Sequence, residues 1–260
     1  MFDERALSPS LQRVRERHAS NALVLDCSGD FDTLPPEALD DLALLVDSIS
    51  PASYPGEWIP ESAPEILRRY AGGDLVVGLP GAGSVAWTTQ TDPPICFVKA
   101  RVEGVPEPFV EFLIAEALVE IGLDLPESFV GFFGERYPDL DRAAPLDPNS
   151  TYQLATALYA GWRGLHTREV FAEWEDEEPE LHEAWSDAGR RLEPRLSELS
   201  AVVASNELDF LEATELACGA IKHGLDLPAP FGALDTYAYR EHGASFAVRW
   251  TEKTFEELLD

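Results

Sequence analysis

Lysine is almost missing from this sequence. Lys99, Lys222 and Lys253 are the three among 260 residues, and the other sixteen basic side chains are arginine. Set against 48 Asp and Glu, these cations leave a formal net charge of -29. A compact chain so charged repels itself in dilute buffer, whereas at about 1 M salt the screening length falls to roughly 3 Å and only charges in contact are felt. Arginine is the more weakly hydrated cation and pairs with carboxylates in a fixed fork. Both features predict a protein adapted to a salt-rich cytoplasm.

Cysteine is also sparse. Cys27, Cys96 and Cys218 are odd in number, far apart and without a CxxC pair. That excludes a disulfide framework and a zinc ribbon, and predicts reduced, structural thiols. No apolar run approaches the roughly 18 residues of a membrane span. The opening MFDERALSPS places acids where a secretory leader has a basic start and an apolar stretch. A cytoplasmic location without a membrane partner is expected. Nucleic acid is not an expected partner either, although counterion release drives little binding at molar salt and weakens that exclusion. The one basic cluster, Arg13, Arg15, Arg17 and His18, places Arg13 and Arg17 one turn apart and reads as a solvated face beside acids.

What is present suffices for a core: 45% of residues are hydrophobic, with six Trp and thirteen Phe, which excludes an acidic disordered chain. Helices are predicted near Pro9 to His18, from Pro35 to Ile49 behind a Pro-Pro start, and in a short segment ending at Gly72-Gly73, with an apolar run at Ala22 to Cys27. Three β-like runs, Leu75 to Leu79, Ser84 to Gln90 and Ile95 to Val102, are joined by short loops and predict an antiparallel meander. The apolar segment Phe109 to Ile121 reads as a helix laid on that sheet. Beyond Pro145 the β signal fades, and helical periodicity covers Thr151 to Trp174, Pro179 to Ala204 and Glu207 to His223, with the acidic run Glu173 to Glu180 as a loop and helix start. The expected class is α+β, with a small antiparallel sheet packed by helices in the N-terminal half and a mostly helical C-terminal half. The boundaries are 1–144 and 150–260, as two regions or as one integrated domain.

One internal echo stands out. Gly122-Leu123-Asp124-Leu125-Pro126 recurs as Gly224-Leu225-Asp226-Leu227-Pro228, each after an apolar helix. The pattern predicts two helix stops, with glycine in the left-handed position, leucine folded back and proline ending the helix.

Chemistry-bearing patterns are few. Leu23-Val24-Leu25-Asp26-Cys27-Ser28-Gly29-Asp30 is an apolar run that ends in acid and hydroxyl groups. It resembles the strand-end Asp-x-Ser-x-Ser of von Willebrand factor A domains, which implies a Mg²⁺ held by Asp26, Ser28 and Asp30. It also resembles the nucleophile loop of haloacid-dehalogenase phosphatases, but Ser28 stands where that chemistry needs a second acid. Gly78-Leu79-Pro80-Gly81-Ala82-Gly83-Ser84 lacks the lysine of a phosphate loop and is followed by β-formers, so a Pro-Gly hairpin turn explains it. His166 with Glu169, and Glu178 with His182, share helix faces without completing a metalloprotease or di-iron pattern. Tyr152, Tyr159, Trp162, Phe171, Trp174 and Trp185, with Arg163 and Arg168 nearby, form an aromatic series that reads as inter-helix core. Trp162, Arg163 and His166 are its candidate ligand-binding residues.

The segments LPGAGSVAWTTQTDPP, GFFGERYPDLD and LDLPAPFGALDTYAYREHG resemble a protein family of halophilic archaea that has no known activity. The resemblance implies a salt-adapted protein and no catalytic residue or cofactor. The leading functional reading is a soluble non-catalytic binding or regulatory protein with an unknown protein partner. The alternatives are a metal-dependent enzyme or module at Asp26, Ser28 and Asp30, and a small-ligand-binding helical protein.

Overall fold

The computed structural model describes residues 2–79, 83–204 and 209–259. Along the chain run β1 (Phe2–Glu4), α1 (Pro9–His18), β2 (Leu23–Cys27), α2 (Leu39–Leu42), β3 (Ser48–Ile49), α3 (Glu65–Gly72), β4 (Val85–Thr88), β5 (Thr91–Asp92) and β6 (Ile95–Val98). There follow α4 (Glu107–Gly122), α5 (Phe129–Phe133), α6 (Tyr137–Ala143), α7 (Pro148–Glu177), α8 (Pro179–Ala204), α9 (Phe210–Ile221) and α10 (Tyr237–Leu259). The α+β class therefore holds, with its sheets in the N-terminal half and helices in the C-terminal half. The predicted turn at Pro80-Gly81 and the start of the helix predicted from Glu207 lie outside the described residues.

Packing groups the chain into two compact units. The first comprises Met1–Ser53, Arg69–Glu127 and Glu173–Ala184; the second comprises Tyr54–Arg68, Ser128–Ala172 and Trp185–Asp260.

In the first unit four strands lie in the order β1-β2-β6-β4. The sheet is mixed where an antiparallel one was expected, because β2 joins β6 in parallel with Leu23 opposite Ile95 and Asp26 opposite Val98. Ile95, Cys96, Phe97 and Val98 are all buried, as a central strand covered on both faces requires. Leu75 to Val77 is buried but forms no strand; Val77 instead accepts from the Leu34 amide at 2.9 Å. Leu25, Leu34, Ala38, Leu42, Val77 and Phe97 share one core cluster. On the helical side α4 packs on β4 and β6 and crosses α1.

The helix predicted from Pro35 to Ile49 is cut short. A 3-10 turn at Pro36–Ala38 leads into the single turn α2, and β3 then pairs with β5. Backbone bonds from Asp47 to Asp92 and from Ser50 to Gln90, both 2.7 Å, take those residues into the two-stranded ribbon. Leu44 and Leu45 are left exposed, so no continuous apolar stripe remains to sustain a helix.

In the second unit α10 kinks at Gly243, whose φ of 44° belongs to the left-handed region. Tyr239, ahead of the kink, donates its hydroxyl to the Leu158 carbonyl of α7 at 2.7 Å. Trp185 of α8 donates to the Lys222 carbonyl at 2.9 Å and stacks on His223. A capping box of Asp209 and Glu212 opens α9. The three cysteines are free and buried.

Candidate functional site

Asp26 sits one residue from the end of β2, at the carboxyl edge of the parallel pair β2/β6, where α/β sheets tend to bind ligands. The residues expected to ligate a cation are engaged otherwise. Asp26 accepts from Arg5 at 2.7 Å, and the same guanidinium reaches Glu107. Asp30 accepts from Arg101 Nε at 2.6 Å, which holds its carboxyl below the usual carboxylate range. Arg101 also donates to Asp32 and to the Phe31 carbonyl, both at 2.8 Å, and so staples the loop of residues 30–32. Ser28 is exposed. Mg²⁺ here would have to displace guanidiniums from two carboxylates that face different arginines. Among the described residues no group of three or more His, Cys, Asp and Glu side chains is arranged to hold a metal ion.

Under this ion-paired loop lies a residue that no motif announces. Lys99 follows the all-apolar β6; its side chain is fully buried and its Nζ is 4.9 Å from the Phe31 ring centroid. No hydrogen-bond partner for Nζ exists among the described residues. Burial, reinforced by Arg101, lowers its pKa against the opposing pull of Asp32 and Asp30. Its only trace in the sequence is a lysine directly after four apolar residues.

At the far end of β4, Glu127 accepts hydrogen bonds from Thr88 Oγ1 at 2.9 Å, the Thr89 amide at 3.2 Å and Gln90 Nε2 at 2.8 Å. Each favours the ionised form, yet burial wins and raises its pKa from 4.5 to about 7.

The predicted trio Trp162, Arg163 and His166 stands together on α7. The rings of Trp162 and His166 lie 4.4 Å apart, Phe132 packs tilted against Trp162 at 4.8 Å, and the Arg163 guanidinium lies 4.9 Å from the Tyr159 ring. Trp162 Nε1 donates to the Arg240 carbonyl at 3.1 Å. Burial and Arg240 hold the His166 imidazole below its usual pKa. These contacts pack α7 against α5 and α10.

Two members of the basic cluster on α1 are committed internally as well. Arg13 grips Glu178 with two bonds of 2.6 Å, and Arg17 pairs with Glu177.

A groove lies in the second unit. Phe246, Arg249, Trp250, Lys253, Thr254 and Glu257 recur at helical spacing along one face of α10 and, with Pro230 and Ala233, enclose about 450 Å³. In its floor Trp250 donates to the Pro230 carbonyl at 3.1 Å and packs against Phe210 and Phe231. Its rim carries Arg249 and Lys253, both exposed. Among the described residues neither forms an ion pair; Arg249 donates to the Ser245 carbonyl within its own helix. The 3-4 spacing from Phe246 to Glu257 was available in the sequence, but the wall from Pro230 and Ala233 was not.

An acidic α+β protein, with ion-paired carboxylates at its sheet edge and an apolar groove rimmed by Arg249, Lys253 and Glu257, is the class that this fold defines. The chain belongs to the Family of unknown function (DUF7089), whose model matches residues 1–258. No curated protein and no solved structure matches it.

Proposed function

We propose that this is a non-catalytic binding protein of a salt-rich cytoplasm, and that it holds a small amphipathic anion in the α10 groove. The observation that carries the reading is the pair Arg249 and Lys253. In a chain with net charge -29, two neighbouring cations have no carboxylate partner among the described residues and flank an apolar floor. The groove's 450 Å³ lies within the roughly 300 to 1,000 Å³ of small-molecule sites. An apolar body would cover Trp250 and Phe246 while its anionic head meets the two cations. At about 1 M salt only direct contact survives screening, so the head has to touch them. The high-salt setting rests on the charge and on the scarcity of lysine.

The test is calorimetry with anilinonaphthalene sulfonate in molar KCl. Saturable one-to-one binding is expected, weakened about tenfold in the double variant Arg249→Ala/Lys253→Ala, equivalent to ~1.4 kcal/mol. Binding that the double variant leaves unchanged, or no binding, overturns the reading.

A further inference from the structure

We propose that Lys99 is a nucleophilic amine that captures a small aldehyde as an imine at the carboxyl edge of β2/β6. An ammonium removed from water costs several kcal/mol unless an acceptor receives it, and among the described residues Nζ has none. Around it stand the Phe31 ring and the backbone of Gly78. Gly78 has φ +78°, and a methyl group there would collide with the Asp32 carbonyl oxygen and lie 3.6 Å from Nζ. That side of the amine is close-packed backbone, so any partner that reaches it has to be of few atoms.

Burial and Arg101 shift Lys99 toward its neutral, nucleophilic form. Asp30 and Asp32, stapled by Arg101 over the same loop, are half-exposed and in contact with solvent protons. The Cys27 thiol, pushed up to about 12 by burial, stays protonated and does not compete. In the step itself the Nζ lone pair attacks the carbonyl carbon, and the carbonyl oxygen takes a proton to give a carbinolamine. That oxygen then leaves as water with a second proton, and nitrogen gives up its two protons to water, one as the carbinolamine forms and one as the imine forms. Amine and aldehyde become imine and water, with no oxidation or reduction.

The scarcity of lysine makes the test clean, because Lys222 and Lys253 are the only other side-chain amines. The folded protein in molar KCl at neutral pH is treated briefly with dilute glycolaldehyde and cyanoborohydride, which reduces any imine to a stable secondary amine, and is then mapped by peptide mass spectrometry. Labelling of Lys99 clearly faster than at the other two lysines is expected, because its lowered pKa leaves more of it as neutral amine. The preference should vanish in the unfolded chain, and the Lys99 rate should reach half its maximum below the usual lysine range. Equal rates at the three lysines of the folded protein, or a Lys99 labelled only after unfolding, overturns the proposal.

Discussion

Glu127 shows at the scale of one residue how burial outweighs hydrogen bonding. Three donors favour its ionised form, and the carboxyl still titrates near 7. Between 4.5 and about 7 the folded state holds a proton that the unfolded chain has released. Its contribution to stability is therefore complete below 4.5 and is lost as pH rises through about 7. His18 and His166, both lowered by burial, act in the opposite sense and lose stability as pH falls below 6.5, so the Glu127 effect has to be read by difference. Chemical unfolding of wild type and Glu127→Gln in molar KCl should show the wild type losing ~2 kcal/mol relative to the variant between about pH 5 and about pH 8. Parallel pH profiles for the two proteins would show that Glu127 does not titrate there.

At the scale of elements, the repeated Gly-Leu-Asp-Leu-Pro segments do different work despite identical letters. After α9 the stop forms as the pattern predicts, with Gly224 at φ +64° and open space around its α-carbon. After α4 the left-handed residue is Asp124 at φ +53°, while Gly122 remains helical and lies against His18 of α1. A side chain at 122 would collide with the His18 carbonyl and come within 2.9 Å of its β-carbon. Gly122 thus permits two helices to cross, and Gly224 permits a turn. Asparagine tolerates the left-handed region, so Gly224→Asn should cost no more than ~0.5 kcal/mol, whereas Gly122→Asn should cost ~2 kcal/mol or more by overpacking. Denaturant midpoints at constant slope would measure both. The acidic run expected to loop behaves similarly: α7 continues to Glu177 because Arg17 and Arg13 meet Glu177 and Glu178.

For the whole molecule the governing quantity is the -29 charge. Several arginines already bind two acceptors at once, as Arg5 and Arg101 do, yet 48 acids exceed what 19 cations can neutralise. The remainder depends on dissolved cations. Lowering KCl from molar to about 0.1 M lengthens screening from about 3 to about 10 Å and restores repulsion across the surface. A melting temperature lower by roughly 10 °C is expected, at about 2 to 4 °C per kcal/mol for a chain of this size. Sucrose at equal osmolality should not replace the salt; a melting temperature indifferent to KCl would show that the charge is neutralised internally.

Local features were legible in the letters alone. Charge balance, reduced cysteines, α1, the exact span of α8, the apolar α4 and the helical C-terminal half follow from composition, caps and a 3.6-residue period, which act over a few neighbours. The strand-end loop at Asp26 to Asp30 was marked correctly as a cluster of polar groups, but not the arginines that occupy it. Only the tertiary structure decided that β2 would border β6, that Lys99 would be buried under Phe31, and that Pro230 would wall a groove on α10. Arg13 and Glu178 stand 165 residues apart, and Arg101 and Asp30 stand 71 apart. Partners at such separations are selected by how the whole chain closes on its core, and no window of local sequence carries that information.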